Sequence, residues 1–429
     1  MHWSSLQPSS SGYRQSYVAQ LDAIMSQLHA KDVKIIMTIV DVPKWASDRR
    51  LWNSPPDGYK KGVYKPFYAM DINRRAVRKA FGDLGEYLAR RFKGSAGYFE
   101  CWNEPNLGRY LYPQRTAADA SYGPRTYLTM LGAFGAGVHR GARSATVIAG
   151  ATAPRGSNDV YSTTPQDFAR YLKSWGASSA FDAYSHHPYT PLGTRNGAPD
   201  QAPNNPARCV TLANLGQLTR LFPSKPFYLT EYGYGTHYSQ WFGYPVSAAT
   251  QARYLRKAYA MMARRPQVKA LLWFLVTDWG SNAKNPYDGT GAYTGLRKVD
   301  GTRKPAWYVF AGRNSLTIAA PTSVKRSTAF RISGVLKSKR GHLAGQTLLL
   351  QTRRPSGATW TKVATTRTRS GSAYAFSARQ KQTKVYRVVW DGVRESAART
   401  VRTPWHAVGR VARPRPGAFA GPLLGHESD

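Results

Sequence analysis

From the start of the chain to about residue 310, short and almost unbroken apolar runs alternate with segments of helical period. Strands apolar on both faces must be covered on both, and parallel sheets wrapped by helices do that. Residues 1–12 read as a strand end and a turn. Tyr17, Leu21, Ile24, Met25 and Leu28 then mark a helix, and Val33–Val40 a buried strand rich in β-branched residues. Pro43, Lys44 and Trp45 fall in the loop behind it, and 52–68 look like a long βα loop. Residues 74–92 put Val77, Phe81, Leu84, Tyr87, Leu88 and Phe92 on one helical face. Further on, helices are expected around Tyr127–Val138, Phe168–Trp175, 210–221 and 248–263. Strands are expected at Ala145–Gly150, Phe181–His187 and Val268–Val276, with a Pro/Asn-rich loop at 188–207 and a closing segment at Pro305–Phe310.

Two of these apolar runs end in glutamate. Gly97-Tyr98-Phe99-Glu100-Cys101-Trp102-Asn103-Glu104-Pro105-Asn106 starts as a strand and stops at Pro105, which has no backbone donor for the ladder. Pro226-Phe227-Tyr228-Leu229-Thr230-Glu231-Tyr232-Gly233-Tyr234 repeats the pattern with a glycine turn behind it. The chain holds only six glutamates, at 86, 100, 104, 231, 395 and 427. A carboxylate just past a buried strand is held from below and open above, as general acid chemistry requires. The plainer alternative is a pair of solvated turns. Two carboxylates facing across a cleft are the machinery of glycoside hydrolysis.

In order along the chain, Trp102-Asn103-Glu104-Pro105-Asn106, His187-Pro188-Tyr189 and Thr230-Glu231-Tyr232 resemble the motifs of the clan A glycoside hydrolases. Asn106-Leu107 and His186-His187-Pro188-Tyr189 most resemble family thirty-nine, which holds β-xylosidases and α-iduronidases. The resemblance implies a (β/α)8 barrel with active groups at the carboxyl ends of its strands. It also implies retaining hydrolysis by double displacement, with Glu104 as acid/base, Glu231 as nucleophile and no cofactor. Asn103 would bind the sugar 2-hydroxyl, or only cap its turn. His187 and Tyr189 would line the site. Trp273 would floor the sugar subsite, with barrel core as the alternative. Trp45 and Tyr232 are further substrate-binding candidates, and Trp279 and Tyr234 weaker ones. Glu104 should have its pKa raised, and Glu231 should be ionised.

Counting back from strand four at Glu104 makes Val33–Val40 strand three and Met1–Ser4 the tail of strand two. Strand one and its helix are then absent, and the chain is expected to start at an internal Met of a longer protein that carried any export signal. A doubly wound sheet is the rival fold, but no Gly-rich turn marks its crevice. A metal at His186 and His187 is not expected, because neighbours in a strand point to opposite faces.

Beyond Leu316 the pattern changes to alternation. Residues 316–321, 328–336, 346–353, 359–367, 373–379, 384–390 and 398–403 read as seven short strands of a β-sandwich, resembling the immunoglobulin-like modules of secreted bacterial enzymes. Trp360, Tyr374, Tyr386 and Trp390 are either a sugar-stacking platform or sandwich core. Residues 404–429 are Pro-, Gly- and Arg-rich and expected to be disordered. The domains are thus 1–315, 316–403 and the tail.

Charge limits the partners. The net charge is +38, and residues 316–429 supply +17 of it from 21 Lys/Arg against 4 Asp/Glu. The excess is spread over both parts, and no nucleic-acid reader module accompanies it, so nucleic acid is not the expected partner. A basic surface suits an acidic polysaccharide or an anionic cell envelope. Two cysteines imply no disulfide framework, and no apolar run spans a membrane. The expected location is extracellular or at the cell envelope. The alternative function is a catalytically impaired carbohydrate-binding or envelope-associated protein.

Overall fold

The computed structural model describes residues 1–190, 197–238, 245–279, 292–312, 315–338, 341–390 and 393–404. The chain divides into two compact units, with the boundary between Arg313 and Asn314.

In the first unit, α1 (Trp3–Leu6) and α2 (Gln15–His29) precede β1 (Ile36–Ile39). Then come α3 (Arg49–Asn53), α4 (Arg75–Arg91), β2 (Tyr98–Cys101), α5 (Tyr122–Gly141), β3 (Thr146–Thr152), α6 (Pro165–Ser174) and β4 (Ala183–His186). The unit ends with α7 (Gly216–Thr219), β5 (Phe227–Tyr232), α8 (Ala248–Met262), β6 (Val268–Trp273) and α9 (Pro305–Ala311). Helix starts are set locally. Thr164 accepts from Asp167 N and Pro165 sits in the first turn of α6, while Ser247 accepts from Thr250 N at α8. The expected helix at 210–221 shrinks to α7, because the Asn214 side chain accepts from Thr211 N and holds a turn where the helix would start.

The six strands form one parallel sheet in uninterrupted order, β1-β2-β3-β4-β5-β6. The order never reverses, so there is no topological switch point and the doubly wound alternative fails. His2 adds a single parallel bridge to Val40 beside β1, and α1 starts immediately after it. The strand tail expected at Met1–Ser4 is therefore one bridge long. Among the described residues β1 and β6 do not pair, so the structure is an arc of parallel strands and not the closed eight-stranded barrel.

The arc is curled. β2 and β5 are separated by two strands, yet Tyr98 and Tyr228 approach to 5.5 Å between ring centroids. Thr230 on β5 also donates to Glu100 on β2 at 2.8 Å. These residues occupy alternate positions on one face, as the period of two requires. Helices cover the other face. There α4 and α5 pack so closely that a Cβ on Gly137 would overlap the Gly82 carbonyl oxygen.

The second unit contains β7 (Ser315–Leu316), β8 (Phe330–Ser338), β9 (Gly341–His342), β10 (Thr347–Arg353), β11 (Thr361–Arg367), β12 (Ala373–Ala378), β13 (Lys384–Trp390), β14 (Arg394–Glu395) and β15 (Arg399–Val401). They form two antiparallel sheets, β11-β10-β13-β14 with β15 on β13, and β12-β8-β7 with β9 on β8. Ile332, Leu336, Leu348, Leu350, Phe376 and Val388 are buried in this unit, and Phe330 meets Tyr386 from the other sheet at 5.8 Å. Tyr374, Tyr386 and Trp390 are buried with them, so three of the four candidate platform aromatics are core. Trp360 is half-buried under the guanidinium groups of Arg353 and Arg387. Of the Arg-rich tail, residues 405–429 lie outside the described residues, as do 191–196 of the loop at 188–207.

Replacing Gly137 by Ala should destabilise the first unit by about 1–3 kcal/mol, the usual cost of overpacking a filled contact. Ala is the better helix former, so propensity alone predicts a gain of about 1 kcal/mol. Chemical denaturation of the two proteins decides between these signs.

Candidate active site

The backbone after β2 is bent to present Glu104. Trp102 (φ 74°) and Glu104 (φ 41°) both take left-handed conformations, which side-chain-bearing residues adopt at about 1–3 kcal/mol each. Neighbouring contacts hold them there. Trp102 donates its indole N–H to Tyr110 O at 2.8 Å, and Glu104 N donates to Ala151 O at 2.9 Å, near the end of β3. Asn106 is fully buried behind them. Its Oδ1 accepts from Ala153 N at 2.8 Å and its Nδ2 donates to Thr163 O at 3.0 Å, tying this loop to the segment after β3. Gln114 adds bonds to Pro105 O and Leu111 O.

Glu104 and Glu231 meet at one imidazole. His187 Nδ1 lies 3.1 Å from Glu104 Oε1 and 3.7 Å from Glu231 Oε2. The two carboxylate oxygens are therefore no farther apart than those distances laid end to end. That span includes the about 5–5.5 Å of retaining glycosidases and reaches only the short end of the about 6.5–9.5 Å of inverting ones. Tyr189 donates its hydroxyl to Glu231 Oε2 at 3.0 Å. Four candidates expected from the sequence, Glu104, Glu231, His187 and Tyr189, thus converge at the carboxyl ends of the strands. The carboxylates keep 15% and 26% exposure, and the imidazole between them 1%.

Electrostatics couples the three ionisable groups. Burial pushes the Glu231 carboxyl up to about 6. The His187 charge opposes this, Glu104 adds to it, and the Tyr189 hydrogen bond again opposes it. The carboxyl raised here is the one expected to be fully ionised, and loss of water is the reason. At pH 7 it still carries its charge. For His187, burial alone would favour the neutral ring, but the Glu231 charge and the Glu104 hydrogen bond outweigh it and raise the pKa to about 9. His186 faces the other way. It pairs with Thr152 Oγ1 and Val210 O, and burial lowers its pKa to about 3. The two histidines are split between faces as strand geometry demands.

Asn103 is half-buried between Trp102 and Glu104, with no side-chain hydrogen bond among the described residues. Trp273 is buried, donates to Thr294 O at 2.7 Å and packs edge-on to Tyr232 at 6.0 Å. Tyr232 is enclosed, with its hydroxyl on Tyr234, so it supports Tyr189 and Trp273 and does not face a substrate. Trp45 is half-buried against Trp3 with its N–H on Gln7 O. Trp279 is exposed against Phe274, and Tyr234 is buried. Asp182 holds His139 and Val147 N, and Asp278 is paired with buried Lys304. Neither competes with Glu231.

The sequence reading missed Tyr110 and Glu100. The Tyr110 hydroxyl is raised well above its ordinary value, by burial first and then by the Glu104 and Glu231 charges, so it lies within electrostatic reach of both. Glu100 is 1% exposed and accepts from Thr38 Oγ1 at 2.6 Å and Thr230 Oγ1 at 2.8 Å. It shares the inner face with Tyr98, two positions before it in β2. A carboxylate inside a strand still reads as an exception and not as a site.

No family model and no curated protein matches the chain. Solved structures do. The β-glucuronidase of Bacteroides uniformis is 13% identical, over 79% of this chain and 38% of that one, with a TM-score of 0.41. A glucosidase from Croceicoccus marinus is 13% identical over 87% and 81%, with a TM-score of 0.46. The Bifidobacterium dentium β-glucuronidase complexed with coumarin-3-O-glucuronide is 14% identical over 69% and 42%, with a TM-score of 0.36. The chain spans less than half the length of the two glucuronidases.

The shift at His187 has a stability consequence. A histidine raised from 6.5 to about 9 contributes stability that is complete below pH 6.5 and lost as pH rises through about 9. Glu231, raised to about 6, adds a cost that sets in between its ordinary value and about 6. Thermal melts should therefore show a falling midpoint from pH 6.5 to 9. The fall should flatten in His187→Gln.

Proposed function

We propose that the chain is a retaining glycoside hydrolase. The observation that carries this reading is the pair of carboxylates, on β5 and just past β2, that converge on one buried imidazole nitrogen. Glu231 attacks the anomeric carbon while the Glu104 carboxyl passes its proton to the departing glycosidic oxygen. A glycosyl ester forms on Glu231 and the aglycone leaves. Glu104, now a carboxylate, takes a proton from water as that water displaces the ester, and both groups return to their starting states. Tyr189 holds the attacking oxygen of Glu231, and its hydrogen bond together with the His187 charge keeps that carboxylate ionised near neutrality despite its burial. Asn103 and Trp273 are the proposed sugar contacts, for the 2-hydroxyl and the ring face, with Trp45 farther out.

We take the substrate to be an anionic oligo- or polysaccharide, met outside the cell or at its envelope. A net charge of +38 spread over both units draws in a polymer carrying uronic acids. The second reading is a protein that holds glycans without turnover.

A panel of aryl glycosides, uronides beside neutral sugars, tests this directly. Expected are burst release of aglycone, no turnover in Glu231→Ala, and a loss of about 10²–10⁴-fold in Glu104→Ala for poor leaving groups, with good ones less affected. Soluble, folded protein with no turnover of any sugar would leave the binding reading. The kcat/KM profile should fall on the acidic side near pH 6, where Glu231 gains its proton. In His187→Gln that limb should move to higher pH, because an opposing positive charge is gone.

A further inference from the structure

Glu100 takes no part in the chemistry above, yet it is a carboxylate enclosed in the curl of the sheet. A carboxylate accepts hydrogen bonds and donates none. Its two oxygens take the hydroxyl protons of Thr38 (2.6 Å) and Thr230 (2.8 Å). Each threonine has one proton to give, so the Thr230 oxygen can then only accept. The group it faces is His187 Nε2 at 3.2 Å. That nitrogen must therefore carry a hydrogen. The other ring nitrogen, Nδ1, faces Glu104 Oε1 at 3.1 Å and is left as the one position where the ring can gain or lose a proton.

We propose that Glu100 is a positioning residue which, through Thr230, fixes the proton of His187 on Nε2 and so confines proton sharing to the Nδ1–Glu104 contact. This inference rests on Glu104 being the acid/base. With Nε2–H fixed, His187 and Glu104 share one acid proton across the 3.1 Å Nδ1–Oε1 contact: on Nδ1 it makes the ring charged beside a carboxylate, and on Oε1 it makes Glu104 the acid that protonates a leaving oxygen. Had Nδ1 carried the fixed hydrogen, it would donate to Glu104 permanently and hold it as a carboxylate.

The charged and titratable neighbours are consistent with this direction. From β4 and its end, His187 is flanked by His186, which burial keeps neutral, and by Tyr189. Glu231 faces it from β5, Glu104 from beyond β2, and Glu100 from within β2. On the far side of Glu100, Thr38 gives its hydroxyl proton to the carboxylate at 2.6 Å.

Imidazole nitrogen NMR on the full chain, with His187 assigned by its loss in His187→Gln, reads the tautomer and the midpoint without needing turnover. In the wild type the Nε2 proton should persist through the titration while Nδ1 titrates. In Glu100→Gln the midpoint should drop by about one unit or more, as loss of a nearby negative charge implies. The Nε2–H preference should weaken. Aryl glycosides with poor leaving groups should slow in kcat within the about 10²–10⁴-fold that general acid catalysis contributes, with KM little changed. Thr230→Val keeps the Glu100 charge but removes the acceptor of Nε2–H, so it should weaken the Nε2–H preference and slow kcat as Glu100→Gln does, and Thr230→Ser should restore both readouts. This pair also keeps the test decisive if Glu100→Gln does not fold. An unchanged tautomer in both Glu100→Gln and Thr230→Val would overturn the proposal, as would a Thr230→Ser protein as impaired as Thr230→Val. Absence of turnover in the wild type would defeat the hydrolase reading alone, since the NMR result stands apart from it.

Discussion

A negative charge enclosed by a curled parallel sheet is the constraint that the rest of the first unit answers to. Burying a carboxylate is costly unless donors meet both of its oxygens. Glu100 is met from β1 by Thr38 and from β5 by Thr230. Those strands lie on opposite sides of β2 in the sheet order, one adjacent and one three places away. Only a curled sheet lets one side chain satisfy both. The same curl puts the ends of β2, β4 and β5 around a common space, and His187, Glu104, Glu231 and Tyr189 occupy it. Fold and site therefore share one polar network. Removing its central member leaves Thr38 and Thr230 without their acceptor and alters the site at once.

The left-handed residues Trp102 and Glu104 show how that arrangement is held above the sheet. A strained turn persists when its surroundings over-determine it. Here the indole of Trp102 is bonded to Tyr110 O, the amide of Glu104 to Ala151 O, and Asn106 is bonded on both its oxygen and its nitrogen. Asn106 and Gln114 stand behind Glu104 and leave its carboxyl oxygen facing His187. Rigid support beneath a partly exposed carboxylate is what placement of a reacting group requires.

Much of this was legible in the residues themselves. The strand and helix alternation predicted each parallel strand within a few residues, because a strand covered on both faces has to be apolar throughout. Glu104 and Glu231 stood out because each ends such a run, and His187 because His187-Pro188-Tyr189 resembles a glycosidase motif. Glu100 was not legible. Its two donors, Thr38 and Thr230, lie 62 and 130 positions away, and nothing local announces them. Tyr232, one residue past Glu231, is turned by the period of two into the packing around Trp273 and Tyr189. The pKa of Glu231 likewise depends on how much water the assembled loops remove, which sequence spacing does not encode. The closing of the barrel is a different case. The resemblance implied eight strand positions with the first missing, whereas among the described residues six strands pair in one parallel sheet and His2 adds one bridge beside β1.

On the proposed mechanism, the imidazole is placed so that the charge it sees hardly changes during the reaction. Before attack, Glu231 is the carboxylate and Glu104 holds a proton. After attack, Glu231 is an ester and Glu104 is the carboxylate. Each lies beside the same Nδ1, at 3.7 and 3.1 Å. The negative charge thus moves from one neighbour of His187 to the other without leaving its vicinity. A ring held in place at that point reorganises little between the two ends of the transfer, which is the property of a preorganised site. The benefit requires that the ring not rotate or change tautomer as the charge crosses. The Nε2 contact to Thr230, anchored on Glu100, supplies that restraint from the interior of the sheet, where solvent does not compete for the hydrogen bond.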